Sequence, residues 1–173
     1  MSIEIVKVGY LECNCYLLIK GNNVLIIDPG DEADKIISMV GGKNVNGVII
    51  THHHFDHVGA LEDILDKYDT KIYDYYNLDE GENRIGVFVF DVIYTPGHKE
   101  DAITIYFKND KIMFVGDFVF KDSIGRCDLD GGNEKDMNES IMKLKKYDDD
   151  IIIYPGHGDK TILGYEKKNN IYF

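Results

Sequence analysis

The histidines of this chain are concentrated in three short stretches of the sequence. Four of the six lie within residues 51–57 together with Asp56, whereas His98 and His157 each follow a Pro-Gly pair. Imidazole and carboxylate groups bind borderline or hard divalent ions such as zinc, iron and manganese. One histidine alone would indicate little, but the joint clustering predicts a metal centre.

Four apolar segments end in a turn that presents one or more of these side chains. The segments and the side chains that follow them are 45–50 with His52, His54, Asp56 and His57, 92–95 with His98, 112–115 with Asp117, and 151–154 with His157. Loops held at the ends of strands are places where a site can be built. Seven ligands exceed what one tetrahedral ion takes, so the set predicts two ions that share a carboxylate. Two ions about 3.5–4 Å apart can hold a hydroxide between them and stabilise negative charge on the group that it attacks.

The apolar patterns also predict the elements that position these turns. Strands are predicted at 3–8, 15–19, 24–27, 45–50, 71–75, 87–94, 103–107, 112–115 and 151–154, and helices at 31–40, at 58–68 and after Asn133. The helix at 58–68 is predicted from apolar residues that recur at helical spacing. Strands interspersed with helices indicate α/β layers. No linker or repeat divides the sequence, so we expect one domain over residues 1–173.

Composition narrows the class of protein. The chain carries 31 acidic and 19 basic residues, a net charge of −12 that repels nucleic-acid phosphates. No apolar run approaches the roughly twenty residues of a membrane helix, and the N-terminus lacks the apolar segment of a secretory signal. Cys13, Cys15 and Cys127 are expected to be reduced thiols with packing roles. These features predict a cytoplasmic protein that binds neither nucleic acid nor membrane.

The spacing of the potential ligands resembles that of a known family. The order His52-x-His54-x-Asp56-His57, then His98, Asp117 and His157, is similar to the motif set of the metallo-β-lactamase superfamily. The resemblance implies that His52, His54 and His98 bind the first metal ion, that Asp56, His57 and His157 bind the second, and that Asp117 bridges both. It also implies a four-layer αββα sandwich with the site at one edge of the two sheets.

Three further positions are interpreted through the same resemblance. Asp28 matches a family position near the metals, where it either orients a ligand imidazole or only shapes a turn. His53 occupies a variable position of the motif and is not expected to be a ligand. Asp56 is the candidate catalytic residue, since it could accept the proton of the nucleophile in addition to binding metal.

The local sequence around the motifs is similar to that of glyoxalase II-like proteins. The similar stretches are 115–118, 123–128, 155–158 and 161–166. Those relatives hydrolyse thioesters such as S-lactoylglutathione to a hydroxy acid and a thiol. Persulfide dioxygenases share the stretch 125–128, so it marks a branch of the superfamily and not a reaction.

The sequence therefore predicts a hydrolase with two divalent ions, zinc before iron or manganese, that acts on a small-molecule thioester. The alternative is a persulfide dioxygenase that uses one iron ion. Lys121 and Arg126 are placed to meet a substrate carboxylate, but an exposed Lys121 and an internal ion pair of Arg126 with Asp128 are the simpler expectations. The 173 residues do not include the helical domain that helps glyoxalase II enzymes hold glutathione. No substrate-binding residues are therefore predicted.

Overall fold

The computed structural model describes all 173 residues. Its strands are β1 (Ser2–Val8), β2 (Cys13–Lys20), β3 (Asn23–Ile27), β4 (Asn44–Ile49), β5 (Ile72–Tyr73), β6 (Gly81–Ile85), β7 (Phe88–Tyr94), β8 (Ile103–Phe107), β9 (Ile112–Gly116), β10 (Val119–Phe120), β11 (Ser123–Ile124), β12 (Ile152–Pro155) and β13 (Thr161–Ile162). Its helices are α1 (Ala33–Val40), α2 (Phe55–Val58), α3 (Leu61–Tyr68), α4 (Glu134–Leu144) and α5 (Leu163–Asn169), with a 3₁₀ turn at Lys108–Asp110. No helix is both long and apolar enough to cross a membrane.

Two sheets organise these strands. The first has the order β1-β2-β3-β4-β5 and the second the order β13-β12-β9-β8-β7-β6, while β10 and β11 form a separate hairpin. In the second sheet β7 and β9 are each antiparallel to β8, and β9 is parallel to β12. The strands β7, β9 and β12 therefore run in the same direction, and the turns that follow them meet at one edge of the sheet.

Apolar side chains on the inner faces of both sheets form the central core. Alternation along the strands places Leu18 and Leu25 of the first sheet in this core, opposite Phe90, Ile105 and Phe114 of the second. The residues between them in sequence face outward, because successive side chains of a strand point to opposite faces. Burial on both faces explains why these strands are apolar along most of their length.

Helices cover the outer face of each sheet. Ile36 of α1 and Ile64 of α3 pack with Leu17 and Ile26 on the first sheet. A second cluster joins α4 to the outer face of the second sheet. The order of layers is helix, sheet, sheet, helix, so the predicted four-layer αββα sandwich is confirmed.

The helix predicted over 58–68 is wrong at its start, because the helix there begins only at Leu61. α2 ends at Val58 and α3 begins at Leu61. Gly59 lies so close to the carbonyl of Gly30 that a side chain would overlap it, and the Ala60 amide donates to Pro29 O at 3.0 Å. This tertiary contact interrupts the helix, and it holds the short helix that carries Asp56 and His57 against the first sheet.

Candidate metal centre

Three imidazole nitrogens converge at the position predicted for the first ion. His54 Nδ1 lies 3.0 Å from His52 Nε2 and 2.9 Å from His98 Nε2. Burial, followed by the charges of neighbouring histidines, lowers the pKa of His52 and of His54. Neutral imidazoles direct lone pairs into the space between them, which is the state in which histidine binds metal.

Asp56, His57 and His157 form an adjoining second cluster. His157 Nε2 lies 3.1 Å from Asp56 Oδ2, and His57 Nε2 lies 3.9 Å from the same oxygen. Asp117 lies between the two clusters, because its carboxylate oxygens are 3.6 Å from His98 Nε2, 3.4 Å from His57 Nε2 and 3.5 Å from His157 Nε2. The structure thus brings all seven side chains together, with Asp117 in the place of a shared carboxylate.

Two buried polar atoms of these seven side chains lack any hydrogen-bond partner. They are His57 Nε2 and Asp117 Oδ1. A buried polar atom without a partner costs free energy, so native structures rarely contain one without a reason. Bound cations would satisfy both atoms, and the donor set of imidazole and carboxylate suits zinc, iron or manganese. The residues present therefore fit a two-metal site.

Asp28 lies directly behind the second cluster. It is 1% exposed, and its Oδ2 lies 2.9 Å from His57 Nδ1. The backbone amide and the hydroxyl of Thr51 donate to the two carboxylate oxygens at 2.8 and 2.7 Å. This arrangement leaves the Nε2 lone pair of His57 facing the site when Nδ1 carries the proton. Thr51 was missed from the sequence, because nothing in its type or spacing distinguishes it from an ordinary turn residue.

Backbone carbonyls orient two more of the imidazoles. His98 Nδ1 lies 2.7 Å from Arg126 O, and His157 Nδ1 lies 3.0 Å from Leu11 O. With a proton on each Nδ1, these contacts hold Nε2 toward the metal centre. The sequence gives no signal for such partners, since every residue has a carbonyl and only the fold determines which one is near.

Carboxylates control the protonation of the second cluster. Burial alone would lower the pKa of His57, but the neighbouring Asp28 and Asp117 carboxylates outweigh it and raise that pKa well above its ordinary value. Burial likewise opposes protonation of His157, while Asp56 raises its pKa. The pKa of Asp117 is lowered, because His57 and the other histidines outweigh the effect of burial. Metal ions that bind this cluster would compete with protons for the imidazole nitrogens.

His53 points away from both clusters, as the resemblance implies for a variable position. Its Nδ1 lies 2.6 Å from Asp101 Oδ2, and its Nε2 lies 3.4 Å from Asp74 Oδ2. Asp101 is only 3% exposed and also accepts from the His53 backbone amide at 3.3 Å. Because Asp101 follows β7, this contact ties the loop of His52 and His54 to the loop of His98. Nothing in the local sequence around Asp101 marks it as part of the site.

Cys13 lies beside the metal centre. All three cysteines are free thiols, as expected, and Cys13 and Cys15 are buried. Cys13 Sγ lies 3.7 Å from His57 Nδ1, and Cys13, His57 and His157 could together surround an ion. Burial raises the pKa of the Cys13 thiol, which keeps it protonated and opposes metal binding.

The metal-facing side chains open into a cleft of about 750 Å³. Leu11, Phe55 and Leu129 line it with apolar surface, and Lys99 and Arg126 line it with positive charge. Arg126 forms the expected ion pair with Asp128, with two contacts of 2.7 Å each. Lys121 is exposed and does not line the cleft.

Comparison with known families agrees with this geometry. The sequence profile of the Metallo-beta-lactamase superfamily matches residues 8–80 and 74–157. The chain belongs to this superfamily. The matched ranges together contain Asp28 and all seven predicted ligands, and the chain is accordingly a metal-dependent hydrolase of the superfamily.

Named relatives extend over nearly the whole chain. The probable metallo-hydrolase YqgX of Bacillus subtilis is 31% identical over 94% of this chain and 93% of its own length. The hydroxyacylglutathione hydrolase GloC of Haemophilus influenzae is 31% identical over 98% of this chain and 97% of its own. The solved structure of TTHA1623 in a di-iron-bound form has a TM-score of 0.91 and 30% identity, covering 98% of this chain and all of that one.

Proposed function

We propose that this protein is a thioester hydrolase. The observation that carries the proposal is the complete set of seven ligands, in which Asp117 stands between two histidine clusters. Two ions that share a carboxylate would use every one of these side chains. The resemblance to hydroxyacylglutathione hydrolase GloC supports a thioester as the substrate class.

The residues present indicate which group each would hold. His52, His54 and His98 would hold one ion, Asp56, His57 and His157 the other, and Asp117 both. The bound ions, which we propose to be zinc, would supply water that ionises near neutral pH and positive charge for an oxyanion. Asp28, through His57, and the carbonyls behind His98 and His157 would keep the imidazoles in place.

The reaction places few other demands on the chain. Water oxygen bonds to the thioester carbonyl carbon, the carbon–sulfur bond breaks, and the products are a carboxylic acid and a thiol. A thiolate is a good leaving group, so strong acid assistance is not required. The Asp56 carboxylate, whose pKa is kept low by His157 and His57 despite burial, is ionised at neutral pH and is proposed to accept the proton of the attacking water.

The test is hydrolysis of S-lactoylglutathione by the protein reconstituted with zinc, iron or manganese in turn. We expect turnover with at least one metal and its loss in His98→Ala, which removes one first-site ligand. Lys146→Met, which changes an exposed residue after α4, is the matched control and should keep full activity. Absence of turnover with every metal would exclude this thioester as a substrate.

A persulfide dioxygenase is the competing reaction, and it is measured in the same preparations. Iron-loaded protein that consumes oxygen with glutathione persulfide, and that does so equally well after His157→Ala, would replace the hydrolase proposal. The second-site substitution distinguishes the two reactions because one iron ion would need only the first-site ligands.

A further inference from the structure

The charged side chains that line the cleft are few once the metal ligands are set aside. They are Lys99, Arg126 and Asp130. His53 also lines the cleft, but its ring is paired with the carboxylates of Asp101 and Asp74. The chain as a whole has a net charge of −12. An anionic ligand therefore gains no attraction from the overall field and depends on a local cation.

Arg126 already has a carboxylate partner. Its guanidinium makes two parallel contacts of 2.7 Å with the carboxylate of Asp128. Both side chains are largely exposed, so the pair is weak, but the adjacent carboxylate offsets the guanidinium charge toward a further anion. Lys99 differs, because its Nζ makes no hydrogen bond and no ion pair with any residue of the chain.

The position of Lys99 is set by the fold. It directly follows the predicted ligand His98, and its side chain lies against Gly131, where an added Cβ would be 3.6 Å from Lys99 Cγ and 3.0 Å from Nζ. Lys99 lines the same cleft as His54 and His98 of the first cluster. Asp130 also lines the cleft but is exposed, and its carboxylate forms no ion pair with Lys99.

Apolar surface occupies other parts of the same cleft. Phe55 is 64% exposed, and Leu11 and Leu129 are each 43% exposed. Large apolar side chains exposed beside polar catalytic groups are typical of ligand sites. The cleft therefore offers metal ligands at its base, apolar contacts at its walls and one unpaired ammonium group.

We propose that Lys99 determines substrate specificity by binding a carboxylate of the substrate, so that the preferred substrates are carboxylate-bearing thioesters with an apolar part. The proposal rests on the proposed thioesterase function. Lys99 acts on substrate binding, and the metal ligands act on the reaction.

The test compares two thioesters that differ only in charge, the S-benzoyl thioesters of mercaptopropionate and of mercaptopropionamide. For the wild-type protein we expect kcat/KM to favour the carboxylate by about tenfold, as an interaction of about 1.4 kcal/mol gives. Lys99→Met should remove this preference through a higher KM for the carboxylate only, and Lys99→Arg should restore most of it. Lys146→Met is again the control. Metal content measured on each variant shows that the centre is intact.

Binding measurements separate failure of this proposal from failure of the proposed function. The S-benzyl thioethers of the same two thiols cannot be hydrolysed, and their affinity for the zinc-loaded protein is measured by calorimetry. Weaker binding of the carboxylate form alone in Lys99→Met supports the role of Lys99 even if no thioester is turned over. Equal binding of both forms to the wild type, or an equal loss of both in the variant, overturns it.

Discussion

At the scale of single residues, the metal centre is organised by groups that do not face it. Asp28 illustrates this, because it accepts hydrogen bonds from Thr51 and lies against His57 while being almost completely buried. A carboxylate behind a ligand imidazole fixes the ring and increases its basicity. The properties of His57 as a ligand therefore depend on Asp28.

Asp28→Asn is expected to weaken binding of the second ion by about 10–100-fold. The amide keeps the shape of the carboxylate but lacks its charge and offers one acceptor in place of two. The affinities of both sites are measured by metal titration, with Asp31→Asn as the control on an exposed carboxylate nearby. An unchanged second-site affinity would show that Asp28 only shapes the turn.

The two clusters should also respond differently to pH. An imidazole must lose its proton to bind metal, so a raised pKa makes protons compete at higher pH and a lowered pKa makes them compete only at lower pH. The pKa of His57 and of His157 is raised, whereas that of His52 and of His54 is lowered. As pH falls, the second ion should be lost before the first. Metal content after dialysis at a series of pH values measures this, and loss of the first ion before the second would contradict it.

At the scale of elements, the turns after β4, β7, β9 and β12 must approach each other very closely. Gly156 follows β12, and an added Cβ there would overlap Asp117 Oδ1 and lie 2.6 Å from His57 Cε1. Gly125 similarly has no room for a side chain beside the carbonyl of Asp117. Glycine at these turns allows the ligands of different strands to reach one centre.

Gly156→Ala should therefore reduce metal content and activity strongly while the protein stays folded. The added methyl group has to displace either Asp117 or His57, and both are predicted ligands of the second ion. Gly42→Ala is the matched control, since nothing lies within 4 Å of a Cβ added there. Metal analysis and circular dichroism are measured together. Normal metal content in Gly156→Ala would mean that the turn accommodates the methyl group without displacing Asp117 or His57.

The sequence predicted most of the strands and the meeting of the seven side chains, because apolar periodicity and motif spacing are local signals. It did not predict β6, whose sequence Gly-Glu-Asn-Arg-Ile lacks apolar alternation and which is a strand only through pairing with β7. The break between α2 and α3 was missed because it depends on Gly30, which is distant in sequence. The contact of Asp101 with His53 was missed for the same reason, because the two residues are distant in sequence.

At the scale of the whole molecule, the centre joins the two sheets. His52, His54, Asp56 and His57 follow β4 of the first sheet, whereas His98, Asp117 and His157 follow strands of the second. Each predicted ion would therefore have ligands from both sheets, so metal binding adds a link between layers that otherwise pack through apolar side chains.

Removal of metal is accordingly expected to lower the thermal stability of the entire domain. A ligand that binds only the folded state contributes about 4 kcal/mol when its free concentration is a thousand times its dissociation constant. For a domain of this size, about 1 kcal/mol corresponds to about 2–4 °C in Tm, so chelation should lower Tm by about 8–16 °C. Scanning calorimetry before and after treatment with a chelator measures the shift. In His98→Ala the shift should be smaller, because this variant lacks His98, a ligand from the second sheet to the first ion, whereas the second ion keeps all its ligands. A chelation shift in the variant as large as in the wild type would show that the ions do not link the sheets in this way.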